Sequence, residues 1–220
     1  MRTTPEVTAH PIPMLFGWDK RRIRGGQINL NEIATKTFVH HYDSPNPLLD
    51  PQFCTAWVEH IHRNKNWEYS WGGYMEHRGV LWRHSYLERD KFNHLGVDVN
   101  YRVGAFVYCP VEFSVLDMHT DLDQDGGWGG RMLVTTRKDE LVIFAHLNLA
   151  NLEYGKWYRE MTIVGRIAPI ESNGGWFPHL HIQGLRDVSL MENIDGYAKD
   201  GDHLETDYPN PLPILGLRET

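Results

Sequence analysis

The sequence predicts a mainly β, antiparallel protein with an N-terminal extension that contains one helix. Two observations carry the β assignment. From about residue 79 short β-type runs recur, among them GAFVYCPV, FSVLDMH, RMLVTT, ELVIFAHL, EMTIVGRI and PHLHIQGL. Gly, Pro and Asp break them at intervals of about ten to fifteen residues, the spacing of an antiparallel all-β domain. The third observation concerns the first 49 residues, which are rich in Pro, Gly and Asn, lack periodicity and read as an irregular extension.

Within the extension, KTFVHHY (36–42) predicts one short strand and LLDPQFCTAWVEHIHRNKN (48–66) a helix. Asp50 can cap that helix and Pro51 suits its first position. Phe53, Trp57 and Ile61 then fall on one face. His60 and His62 sit on different faces, because helical positions two apart diverge, so they do not chelate one ion. SLMENIDGYA (189–198) predicts a short helix, and TDYPNPLPILGL (206–217) an extended tail over the surface. The organisation expected is an extension (1–78) packed on the core, a β domain (79–187) and a tail (188–220).

Composition narrows the function. The 220 residues are 41% hydrophobic and 23% charged, as in ordinary globular proteins. A net charge of -7 leaves no basic surplus for nonspecific nucleic-acid binding, and the basic DKRRIRGG (19–26) reads as a solvated loop. No apolar run approaches the roughly 20 residues that cross a bilayer. The first residues lack the apolar core of a secretory leader, so a cytoplasmic location is the expectation. Cys54 and Cys109 lie in apolar contexts and read as buried thiols. The chain has eight Trp and ten Tyr, concentrated in 57–86, which holds four of the Trp and three of the Tyr; such residues serve both packing and ligand clefts.

Three segments carry chemistry. NHLGVD (93–98) holds His94 and Asp98 at an even spacing that shares one face of a strand. FAHL (144–147) ends an apolar strand on His146. PHLHIQ (178–183) puts His179 and His181 on one face. Two imidazoles, a carboxylate and a water meet the needs of a catalytic zinc ion, and further histidines can move protons near neutral pH.

In order and spacing these segments resemble the lysostaphin-type (LytM-domain) zinc metallopeptidases: H-x-x-x-D, then a strand ending in A-H-L, then P-H-L-H. HLGVDVNYRVGAFVYCPVEFSV is similar to the family's opening strand pair. The stretch from LVIFAHL to PHLHIQ is similar to its histidine strand, G-x-x-V-x-x-G turn and final histidine pair. The likeness covers about residues 86–185, roughly half of the chain. It implies that fold, a Zn2+ cofactor on His94, Asp98 and His181, and catalytic roles for His146 and His179. It also implies cleavage of an amide or peptide bond by metal-activated water.

The chain departs from the family in places. Glu112 and Phe113 stand in the first hairpin where a Gly is common. Trp176 and Phe177 add bulk before the histidine pair, where the family often lines an open groove. DMHTDLDQDGGWGG (117–130) copies the first half of a calcium loop at Asp121, Asp123 and Asp125. The twelfth position is Met132 instead of Glu, so a solvated hairpin turn is expected, with His119 as a loop residue. In WGGYMEHRGVLWRHSYLERD (71–90), Tyr74, Glu76, Arg78, Trp82 and Arg83 are candidates, with Trp176, for holding a small polar substrate. The partner expected is thus a peptide or small polar amide, with no nucleic acid and no membrane. Two other classes stay open: a zinc enzyme acting on a small metabolite (lyase, isomerase or non-peptide amidase), and an inactive binding module.

Overall fold

The computed structural model describes residues 12–17, 23–38, 44–85, 91–121, 123, 127–201 and 203–217. Chain entry into the sheet is set by two capped helices. Asn29 caps α1 (Leu30–Thr37) by accepting from the Glu32 N–H, and Asp50 caps α2 (Pro51–Lys65) by accepting from the Phe53 N–H. Pro51 opens α2, and Asn66, left-handed at φ 54°, ends it. α2 lies where the sequence puts it, but its fully buried residues are Cys54 and Val58, while Trp57 and Ile61 are half-buried against the same cluster and Phe53 is exposed. The spacing sets the period of an apolar stripe, while the neighbouring elements set its rotation. Phe53 and Trp57 stack on each other at 5.9 Å, with Phe38 against their edges.

α1 is a second helix that the sequence reading missed. Lys36 and Thr37 form its last turn and are not the start of a strand; residues 39–42 of that expected strand lie outside the described residues.

The strands are β1 (Gly25–Gln27), β2 (Tyr69–Trp71), β3 (Asn93–His94), β4 (Val97–Asn100), β5 (Phe106–Cys109), β6 (Phe113–Asp121), β7 (Gly129–Thr136), β8 (Leu141–Leu149), β9 (Trp157–Tyr158), β10 (Thr162–Ile167), β11 (Leu180–Leu185) and β12 (Tyr197–Ala198). Ten form one sheet in the order β1-β2-β4-β11-β8-β7-β6-β9, with β10 bridging β8 and β5. Among the described strand pairs of this sheet, β1–β2 alone is parallel. The mainly β, antiparallel expectation therefore holds. β1 and β2, from the stretch read as an extension, continue the same sheet.

Alternation along the strands sorts side chains onto two faces. Val97 and Val99 of β4, Val142 and Phe144 of β8, and Leu180 and Ile182 of β11 enter the main apolar core. Asp98, Ala145 and His181 face the other way. Cross-strand register pairs His181 with Asp98 on one side and with Ala145 on the other. The same face continues into a smaller apolar cluster of Leu133, Leu141, Ile143, Ala145 and Leu185.

The tail is not an extended surface strap. It forms α3 (Leu204–Asp207) and α4 (Pro211–Ile214), and Leu212, Leu215 and Leu217 are buried in the main core. Before it, Val188–Asn193 is a 3-10 turn, and β12 pairs with β3 in a small ribbon beside the site. Asp117 to Asp121, read as part of a hairpin turn, extend β6, with His119 exposed on it. The calcium-like loop itself lies largely outside the described residues. Cys54 and Cys109 are buried, free thiols. No helix among the described residues is long and apolar enough to cross a membrane.

Candidate metal centre

His94 and Asp98 do not share one strand, as their even spacing suggested. The run breaks at Leu95–Gly96: His94 ends β3, paired with β12, while Asp98 lies in β4, paired with β11. The two still converge because Gly96 lets the turn press against β11. A Cβ there would lie 2.3 Å from the Ile182 carbonyl oxygen and 2.8 Å from the His181 ring.

His146 reaches the site by a bulge. Strict alternation after Ala145 would send it into the core. Between β7 and β8, however, the register runs from Gly130↔Leu147 to Met132↔Phe144, so β8 carries one extra residue. Phe144 and Leu147 both point into the core, and the inserted His146 takes a left-handed φ of 61°. Its N–H donates to the Trp128 carbonyl and its carbonyl accepts from the Ala168 N–H, which holds the conformation. Left-handed non-glycine residues are uncommon and cluster at functional sites.

Three ligand-type atoms meet at one buried point. His94 Nε2 and His181 Nδ1 are 3.0 Å apart, Asp98 Oδ1 is 3.0 Å from His181 Nδ1, and it is 3.3 Å from His94 Nε2. All three residues are at most 4% exposed. His181 Nε2–H donates to Gln183 Oε1 at 3.0 Å, and the Gln183 amide in turn donates to the Asp195 carbonyl. His181 Nδ1 is therefore an acceptor, and it faces His94 Nε2 and Asp98 Oδ1. His94 Nδ1 is buried with no hydrogen-bond partner, so no placement of its proton satisfies both nitrogens. A cation would engage the lone pairs of His94 Nε2, His181 Nδ1 and Asp98 Oδ1 together. Bonds of about 2.0–2.1 Å at tetrahedral angles separate ligand atoms by about 3.3–3.4 Å, close to these three edges. The donor set fits a tetrahedral divalent ion.

The electrostatics suit such a cluster. Burial, then the Arg78 charge, pushes the His94 ring down to about 3, leaving it neutral and able to donate a lone pair. Burial alone would raise the Asp98 carboxyl; the neighbouring imidazoles and Arg78 outweigh it and hold it well below the carboxylate range. Burial also lowers His146 and His179. His179 Nδ1–H donates to the Phe177 carbonyl at 2.7 Å, which leaves Nε2 turned towards Asp98 Oδ1, 3.6 Å away. The His146 and His179 rings are 4.4 Å apart.

A cleft of about 350 Å³ opens over this cluster. Trp82, Trp128, Trp176 and Tyr197 wall it, with His146 and His179 beside the three converging residues. Trp176 is pinned by its Nε1–H bond to the Leu48 carbonyl, and it packs on both Trp82 and His179. Of the six residues expected to hold a substrate, Trp82 and Trp176 line this cleft. The other four are placed elsewhere. Glu76 and Arg78 are buried and paired with each other, and Arg78 also pairs with Asp98, so both charges are engaged inside the protein. The Tyr74 hydroxyl donates to the Tyr208 carbonyl, tying the tail to this loop, and Arg83 is not on the cleft wall.

Sequence reasoning missed Gln183, Trp128 and Tyr197. Gln183 was within reach, since it follows His181 at an even strand spacing. Tyr197 arrives through the β12–β3 ribbon, which nothing in its local sequence signals.

No family model and no curated protein matches the chain. Solved structures of low identity are similar to it. One is the catalytic domain of the antimicrobial peptidase lysostaphin from Staphylococcus simulans, at 16% identity and a TM-score of 0.44, covering 74% of this chain and 97% of that one. Another is a catalytic-domain variant of the prophage-encoded M23 protein EnpA from Enterococcus faecalis, at 16% identity, TM-score 0.39, and 58% and 85% coverage. A third is a zinc-containing peptidase from Vibrio cholerae, at 18% identity and TM-score 0.36; the match covers 43% of this chain and 27% of that one.

Proposed function

We propose that this chain is a zinc-dependent amide or peptide hydrolase, with His94, Asp98 and His181 as ligands and His146 and His179 handling protons. The observation that carries this reading is the buried triangle of His94 Nε2, His181 Nδ1 and Asp98 Oδ1, 3.0, 3.0 and 3.3 Å on its edges, with two more neutral imidazoles beside it. When bound there, zinc would polarise a carbonyl and acidify a water. His179 keeps the Nε2 lone pair free by donating Nδ1–H to Phe177, so it is placed to take a proton from the attacking water. His179, having taken that proton, is placed to pass it on to the leaving amine, while His146, a neutral imidazole 4.4 Å away ring to ring, is placed to support the developing oxyanion with a ring N–H. The tryptophan walls shed water from the reacting groups, which strengthens each of these interactions.

A second reading, favoured by the cleft's size, keeps the chemistry and changes the substrate to a small amide. Its volume of about 350 Å³ sits at the low end of small-molecule sites. The experiment for both loads the protein with zinc and offers short peptides, cell-wall peptide fragments and small amides, detecting the amine released. Turnover should be lost in His146→Ala and His179→Ala while zinc is retained. Peptide turnover selects the first reading, and turnover of small amides alone selects the second. Variants as active as the parent, or a loaded parent that cleaves none of the panel, would overturn the assignment.

A further inference from the structure

We infer that Arg78 is the positioning residue of the centre: it pins Oδ2 of Asp98, so that the carboxylate offers one oxygen, Oδ1, to the metal. The inference rests on the metal-centre reading above. Arg78 Nη1 donates to Asp98 Oδ2 at 2.6 Å, a short charge-assisted bond, while Oδ1 faces the two ligand nitrogens. The two oxygens of one carboxylate thus have separate tasks.

The guanidinium is itself held from every side that the structure shows. Glu76 Oε2 takes bonds from Nε at 3.2 Å and Nη2 at 3.1 Å. Nη1 also donates to the Tyr197 hydroxyl at 3.0 Å, which accepts from Trp82 Nε1–H at 2.7 Å. Arg78 is 2% exposed, and burying an arginine is costly unless its charge is matched. The loop makes room for the pair: a Cβ on Gly72 would lie 3.0 Å from Arg78 Nη2 and 3.1 Å from Glu76 Oε2. Glu76 also offsets the guanidinium charge, so the ligand set keeps the single negative charge of Asp98. Arg78 thus orients the carboxylate in addition to the charge it places near His94 and Asp98.

Two measurements test this. In the parent protein loaded with Co2+, single-oxygen ligation by Asp98 with both histidines and a water predicts the intense visible bands of a four-coordinate ion; the weak bands of higher coordination would overturn the inference. The double variant Arg78→Met/Glu76→Gln leaves the net charge unchanged. It should lower zinc affinity about 10–100-fold, measured by competition with a chromophoric chelator, and weaken the Co2+ bands as the freed second oxygen joins the ion. Arg78→Lys, which keeps the charge without the planar fork, should shift both readouts in the same direction by less. Folded variants with parental affinity and an unchanged Co2+ spectrum would refute the role of Arg78 alone. A parent that takes up neither metal removes the metal centre, and this inference with it.

Discussion

His94 Nε2 and His181 Nδ1 stand 3.0 Å apart inside a site that water barely reaches, and the second nitrogen of His181 is already engaged by Gln183. With Asp98 Oδ1 at 3.0 and 3.3 Å from these two nitrogens, the three atoms match the edges of a tetrahedral metal site. The protein should therefore bind one zinc per chain. At zinc concentrations near 100 times the dissociation constant the gain is about 2.7 kcal/mol, visible as a raised thermal midpoint that a chelator reverses. His181→Ala should abolish both binding and the shift, whereas His146→Ala should keep both. Equal midpoints with and without zinc would contradict the assignment.

The metal-free protein should lose stability in mild acid. Burial holds the folded rings of His94, His146 and His179 below 6.5, with His94 near 3. As pH falls through 6.5 the unfolded chain takes up protons that the folded chain refuses. Stability is then complete above that pH and declines below it, by at most about 1.4 kcal/mol per pH unit for each ring. Urea denaturation of the chelated protein between pH 7 and 4.5 measures the slope. His146→Gln should flatten it, and a slope the same in parent and variant would count against the buried neutral ring.

Gly96→Ala should damage fold and site together. The new methyl would meet the Ile182 carbonyl at 2.3 Å and the His181 ring at 2.8 Å, and backbone cannot yield as a flexible side chain does. A loss of about 1–3 kcal/mol is expected from overpacking. Zinc affinity should fall with it, because β11 carries His181. A variant with unaltered urea midpoint and zinc titration would show that the close approach is dispensable.

The tail belongs to the folding unit. Leu212 is fully buried in the same core as Val97 and Phe144. Leu212→Ala should cost about 2–5 kcal/mol, as do other large-to-small changes in cores. A surface strap would lose almost nothing, so the denaturation midpoint separates the two pictures.

Much of the centre is legible from local pattern. Period-two spacing puts His179 and His181 together, and it places Gln183 with them. His94 and Asp98 were brought together by the same rule for an incomplete reason. Their run is broken at Gly96, and they converge because cross-strand register sets Asp98 opposite His181. His146 illustrates the limit of periodicity. A regular strand would bury it beside Phe144, and only the extra residue relative to β7 turns it outward and sends Leu147 into the core. Arg78 illustrates another limit: its charge in an aromatic, polar stretch suited substrate binding as well as it suited an internal ion pair. What decides between them is burial.

By itself, the sequence determined the antiparallel β character, the capped helix at 51–65 and the residue types that chemistry needs, because alternation, capping and side-chain chemistry act between near neighbours in the chain. Tertiary structure alone decided which apolar face of that helix is buried, that the proline-rich tail enters the core, and that Tyr197 and Trp82 brace Arg78 behind Asp98. These depend on contacts between residues far apart in sequence. Their energies exist only once the sheet has brought the partners together.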